Sequence, residues 1–304
     1  MSRGLARASI AAAVLAAVAG AAHAQPVFAP REDLDFDRPE AWAMKYFTSV
    51  TLLSGLGVPR ALPPGAIELG FEGGWIPSLS EDERRVGFYG TKVEDLNKTS
   101  VFGRPRLTVG LPASFSLTVA WAPPVEVGGV EPNFVSLSVG RPVWEGERLR
   151  LGLRLHGQDG SIKGDITCPG EAVAAGDDPV ANPFNCQEPS EDETTVRYAG
   201  LEAGAAFALD REERAEGHLA ISLNYLDPEF QVDAVYAGFH DRTLQLTHGT
   251  TWSLAAGLSY SAGERTRLAV EAFYTPLDIV RTMGAEKSSE DLFNVRALLA
   301  LRLR

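Results

Sequence analysis

Glu147–Gln158 reads ERLRLGLRLHGQ, and neighbouring positions differ in kind. Leu149, Leu151, Leu153 and Leu155 fall on one face of an extended strand, with Arg148, Arg150, Arg154 and His156 on the other. The reason is that strand side chains alternate with a period of two. Such a segment separates an apolar medium from a polar one. In a soluble sandwich the leucines face a core and the arginines face solvent. In a closed barrel within a membrane the leucines face lipid and the arginines the lumen.

The N-terminus narrows the choice of compartment. Met1–Arg7 carries Arg3 and Arg7 without an acid, Ala8–Ala21 is almost unbroken Ala, Val, Ile and Leu, and Ala22-His23-Ala24 is a small-x-small site. Residues 1–24 therefore read as a secretory signal peptide. The apolar run is shorter than the ~18 residues a spanning helix needs, and no later stretch reaches that length. The net charge of −12 weighs against nucleic acid as a partner. The two cysteines, Cys168 and Cys186, lie in one polar stretch, which in an exported protein predicts a disulfide pinning a loop. A metal site would need further ligands nearby, so none is expected.

The same alternation recurs along the rest of the chain. It runs through Ile67–Trp75, Arg104–Leu111, Phe115–Trp121, Val135–Val139, the arginine strand, Tyr198–Leu209, His218–Tyr225, Trp252–Tyr260, Arg267–Tyr274 and Phe293–Leu303. Three features favour a barrel in lipid. Connections alternate between short (Pro112–Ser114, Pro142–Gly146, Asp210–Glu216, Ala262–Glu264) and long (Ser80–Thr99, Asp159–Glu193, Gly238–Gly249, Pro276–Asp291), with Pro123–Pro132 intermediate. Short periplasmic turns and long outer loops are the outer-membrane arrangement. Aromatic residues bracket the apolar faces of Phe115–Trp121 and Trp252–Tyr260. Eight residues at ~3.4 Å each and a tilt of ~40° rise about 21 Å, close to the ~25 Å apolar band. Finally, the polar face pairs opposite charges, as buried charges require. The expectation is an all-β antiparallel transmembrane β-barrel of about ten strands, with twelve as the alternative, over residues 66–304.

The lumen-facing set is Glu68, Glu72, Glu202 and Glu271 against Arg104, Arg106, Arg148, Arg150, Arg154, Arg267, Arg296 and Arg302, with His156 among them. Such a ladder can stiffen a narrow barrel or form a path that tolerates small anions. Both readings stay open in the sequence. From Asp159 to Glu193 there are nine acids and one lysine, so the cysteine loop is strongly anionic.

The leader, the stretch ahead of the first strand and the phrase TSVFGRPRLTVGLPASFSLTVAWAPP (99–124) together resemble the bacterial outer-membrane β-barrel proteins. Within them the chain looks most like the small uptake-type barrels grouped with the fatty-acid and aromatic-compound transporters. Barrels of that class finish on an aromatic residue read by the assembly machinery, whereas this chain finishes Leu301-Arg302-Leu303-Arg304.

Residues 25–65 stand outside the strand series. Asp37-Arg38-Pro39-Glu40 has the form of a helix start, and Trp42, Tyr46, Val50 and Leu53 recur at helical spacing before Gly55. Tyr46–Leu53 also has the composition of a strand. The resemblance implies that this segment plugs the lumen or lies at its periplasmic mouth.

Little points to catalysis. His218-Leu219-Ala220 lacks the His-x-Ser spacing of an outer-membrane phospholipase. His240-Asp241 and His248 sit in an outer loop facing Glu81-Asp82-Glu83, without the spacing of the rim proteases. No phosphate loop, zinc or calcium signature appears, so no cofactor is expected. The function expected is a narrow or plugged channel for passive uptake of a small hydrophobic or anionic compound, and not an enzyme. The alternatives are a non-conducting structural or surface-interaction barrel and, behind it, a rim hydrolase. Partners expected are outer-membrane lipid, the assembly machinery and a small-molecule solute.

Overall fold

The computed structural model describes residues 30–282 and 284–303, so the signal-peptide reading lies outside it. Ten antiparallel strands close on themselves in sequence order: β1 (Ile67–Trp75), β2 (Val101–Gly110), β3 (Ser116–Ala122), β4 (Val130–Glu145), β5 (Leu149–Gly164), β6 (Tyr198–Ala208), β7 (Ala215–Leu226), β8 (Gly249–Ala262), β9 (Thr266–Thr275) and β10 (Leu292–Arg302). β10 pairs back onto β1, with Glu68 opposite Arg302 and Trp75 opposite Val295. Each strand otherwise pairs with its chain neighbour. The count is ten, not twelve.

Outward and inward faces answer the question left by the arginine strand. Leu155 is 62% exposed and Leu223 59%, while Arg104 and Arg296 are 0% exposed. A continuous outer belt of Leu, Ile and Val cannot face water. Aromatic residues edge it above (Trp75, Trp121, Tyr225, Trp252, Phe293) and below (Trp144, Phe207, Tyr260). No described helix is long and apolar enough to cross a membrane; the strands do so instead. The protein is an outer-membrane β-barrel.

The long connections gather at one end and carry their own structure. The expected cysteine loop starts later than Asp159, because β5 continues to Gly164 alongside the start of β4 at Val130. Its outer end then pairs with Asp192–Thr195. Glu229–Gln231, Leu244–Leu246 and, in parallel, Arg31–Asp33 extend that sheet past the rim. Cys168 and Cys186 are disulfide-bonded within this outer layer.

Arg31 thus lies among the outer loops, and the chain descends from there. Pro39–Thr51 is a helix, α1, not a strand. Proline suits its first turn, where an N–H has no partner to lose. Arg38, not Asp37, takes the N-cap position, and Leu52, not Gly55, the C-cap. Trp42, Tyr46 and Val50 pack against Leu79, Val86, Leu277, Ile279 and Leu292 from the outer loops and β10. Residues 52–62 run on as irregular chain to the base of β1.

Candidate functional site: a plugged lumen beneath an outer cavity

The irregular stretch below α1 must satisfy its buried backbone without a ladder of its own. The wall arginines supply the donors. Arg104 Nη1 donates to Thr51 O at 2.8 Å and its Nη2 to Leu52 O at 3.2 Å. Arg296 also donates to Leu52 O, and to Val50 O at 3.2 Å. Arg106 reaches Ser54 O (3.1 Å), Arg267 Leu56 O (2.8 Å) and Arg154 Gly57 O (3.0 Å). The upper two also meet the negative end of the α1 dipole, where the last carbonyls have no helical partner.

Carboxylates hold these arginines in place. Glu72 takes Arg104 in a bidentate pair at 2.9 and 3.0 Å and Arg106 at 3.0 Å. Glu202 pairs with Arg154, its direct neighbour across the β5–β6 ladder. Glu68 pairs with Arg267 at 3.2 Å, Arg150 with Glu216 at 2.8 Å, and His218 with Glu271 at 3.1 Å. His156 packs edge-on against Tyr198. Of the predicted ladder, Arg148 does not belong. It precedes β5 in the tight turn from β4, and its side chain is exposed. The alternation has the right phase there, but β5 has not yet begun.

The wall also makes room. A Cβ at Gly152 would lie 2.7 Å from Val58 and 2.8 Å from Pro59, one at Gly140 2.9 Å from Pro59, and one at Gly110 2.2 Å from Pro63 O. These inward-phase glycines give the chain the width of a side chain at each crossing. The sequence carries that signal as glycines in lumen register, and reading them as mere weak points of strands misses it. What is left of the lower lumen is a cavity of about 60 Å³ beside Arg60, Glu68 and Arg267.

The larger space is on the outer side of α1. A cavity of about 190 Å³ lies between Ala43, Met44 and Phe47 of the helix and Phe88, Ile166 and Phe230 of the outer layer. Its polar wall includes Glu32, Arg38, Glu40, Glu94, Thr194 and Asp241. Arg38 is committed to Glu32 (2.9 Å) and Glu40 (3.1 Å) and stacks on the Tyr89 ring at 3.7 Å. Lys92 pairs with Glu94 and donates to Thr167 O. Burial pushes the Glu94 carboxyl up to about 7, with Asp192 and Glu40 adding to the shift and Lys92 opposing it. Phe88 and Tyr89 roof the space with two successive left-handed backbones, φ 47° and 58°, a costly conformation for bulky residues. Glu40 Oε1 accepts from Tyr89 N at 2.6 Å and so ties that roof to α1. His240 forms an exposed pair with Asp233 outside this cavity wall. Arg38, Glu40 and Asp241 stood out in the sequence for other reasons, but nothing there joined them into one cavity, because its wall comes from the N-terminal segment and three separate outer connections.

No protein-family profile matches the chain, and no curated protein matches it. Solved structures do, at low identity. The outer-membrane protease OmpT of Escherichia coli is 9% identical, with 78% of this chain and 92% of that one covered at a TM-score of 0.36. The Pseudomonas putida toluene transporter TodX is 14% identical, with 90% and 78% covered and a TM-score of 0.32. The attachment invasion locus protein Ail of Yersinia pestis is 10% identical, with 79% and 99% covered and a TM-score of 0.27. A protease, a transporter and an attachment protein differ in what they do, and likeness at this level says nothing of what this chain binds.

Proposed function

We propose that the barrel takes up a small apolar compound from outside, receiving it in the cavity above α1 rather than passing it through an open pore. The observation that carries this is the contrast between a cavity of about 190 Å³ on the outer side, with one wall of Ala43, Met44, Phe47, Phe88, Ile166 and Phe230, and a lower lumen filled by chain and ion pairs. An anionic solute is the weaker branch of the expectation. Arg104, Arg106, Arg154, Arg267 and Arg296 are each engaged by carbonyls of the plug, and so are spent before an anion arrives.

The wall offers an apolar solute a way around the charged lumen. The β2–β3 ladder stops at Arg106 opposite Ala120, although both strands continue outward. Pro105 has no N–H to extend it. That seam lies in the outer half of the wall, and Phe47 links it to the cavity, lining the one and packing on the cluster that contains Ala122 of β3; a gap in the ladder is where an apolar molecule can cross to lipid at least cost. No catalytic step belongs to this reading.

Uptake of radiolabelled toluene by cells with an intact outer membrane tests it. Cells carrying the protein are expected to accumulate toluene faster than cells without it, and benzoate no faster. Equal toluene rates would instead support a non-conducting surface barrel.

A further inference from the structure

We infer that the small cavity at the foot of the plug is a binding site for an inorganic oxyanion of phosphate size, reached from the periplasmic side. It is separate from the outer cavity and does not depend on the uptake reading. It lies at the short-turn end of the barrel, between Ser116 at the start of β3, Ser259 near the end of β8 and Arg60 of the plug. A water-sized group needs roughly 10–15 Å³, so about 60 Å³ takes an ion of a few heavy atoms and excludes a larger organic solute.

Charge selects an anion. Glu68 faces three guanidiniums: Arg267 at 3.2 Å, Arg60 at 3.7 Å and, opposite it in the ladder, Arg302. The other carboxylate of the cavity wall, Glu216, is taken by Arg150 at 2.8 Å. Arg106 and Arg154 also line the space but are matched by Glu72 and Glu202. Arg60 is left without a carboxylate of its own. Among the described residues it donates no hydrogen bond, and its side chain lines the cavity with 26% of its surface accessible.

The backbone of the plug points the same way. The carbonyls of Ser54, Leu56 and Gly57 are met by arginines, yet no amide N–H from Ser54 to Val58 donates to a described residue. Gly55, Gly57 and Val58 of that stretch line the cavity. Buried amides rarely go without an acceptor. Water accepts from them but carries no charge to set against Arg60. An oxyanion does both, and its several oxygens suit the guanidinium fork. Bound there, it joins Arg60 of the plug to Arg267 of β9 and fastens the plug from below.

The test is isothermal titration of the full mature chain in lipid nanodiscs, near pH 8 and at low salt, with inorganic phosphate, acetate and glycerol 3-phosphate. Phosphate is expected to bind at one site per chain, about tenfold more tightly than acetate, which has fewer oxygens and less charge, and than glycerol 3-phosphate, which is too long for the space. Arg60→Gln should weaken phosphate about tenfold or more, and Arg60→Lys should recover part of the loss. Arg148→Gln, in an exposed turn outside the lumen, should change nothing. Phosphate should also raise the urea midpoint of the wild-type protein and not that of Arg60→Gln, since a ligand held only by the folded state stabilises it. Equal binding of acetate, or equal losses from Arg60→Gln and Arg148→Gln, would reduce the site to a diffuse positive field and overturn it. Glycerol 3-phosphate binding as tightly as phosphate, or no binding of phosphate at all, overturns it too.

Discussion

α1 and residues 52–62 lie end to end inside the same barrel and solve one problem in opposite ways. The helix pairs its backbone internally, and its side chains do the docking: Trp42 stacks on Tyr46 at 5.5 Å, and both join a core with the outer loops. The stretch below has no such ladder. Leu53 N donates to the Tyr198 hydroxyl at 2.6 Å, and carbonyl after carbonyl is met by an arginine. Apolar packing holds the first element and borrowed hydrogen bonds the second. A buried carbonyl left unmet costs about 1–3 kcal/mol, so the lumen arginines are backbone donors before they are anything else.

The largest effect is expected where that arrangement converges. Glu72 binds Arg104 and Arg106, which between them hold Thr51, Leu52 and Ser54. Glu72→Gln leaves buried cations under-compensated and is expected to cost about 3–5 kcal/mol in urea unfolding from lipid vesicles. Glu216→Gln loses only the half-buried pair with Arg150 and should cost about 1 kcal/mol or less. Equal losses would mean that the plug is held by packing throughout, and the contrast between its two parts would go.

The ten strands and the inside–outside phase were legible because period two leaves a mark on every residue: Leu149, Leu151, Leu153 and Leu155 do face out, and Arg150, Arg154 and His156 face in. The charge partners were half legible. Glu72 lies opposite Arg104 and Glu202 opposite Arg154 in register, yet the carbonyl acceptors were hidden, since every residue carries one. Arg148 misled for a related reason, as phase does not say where a strand stops. The outer cavity was illegible because Glu40, Glu94, Thr194 and Asp241 are brought together only by loop folding.

Two further substitutions probe the wall on its two faces. Leu153 lies 44% exposed on the lipid side, and Leu153→Arg is expected to cost about 2–4 kcal/mol near the bilayer midplane. Arg150→Gln on the inner side should cost less, and the reverse order would turn the barrel inside out. Smaller still is Arg296→Met, which removes a donor from Leu52 O and Val50 O for about 1–3 kcal/mol. Its signature is functional. In planar bilayers the intact protein should pass almost no steady current, and Arg296→Met should show brief openings as the lower stretch loosens. Val50→Ala trims the helix core instead, and is expected to lower stability without them. Openings from both would merge the two parts of the plug into one unit.

The smallest effect on the barrel is expected from the disulfide, which lies apart from both parts of the plug. Cys168 and Cys186 are separated by 18 positions and pack with Val232 and Ala234 in the outer layer. In the chain-entropy account, closing a loop of about 15 residues contributes roughly 3 kcal/mol. That contribution belongs to the segment it closes, because outer loops can open locally while the ladders stay paired. The Cys168→Ser, Cys186→Ser double variant should therefore keep the wild-type difference in gel mobility between heated and unheated samples, which reports the closed barrel. Protease nicking between residues 170 and 190 should rise sharply in the same protein. Loss of the mobility difference would show that the barrel depends on its outer layer, and the plug could then no longer be treated as held by the wall alone.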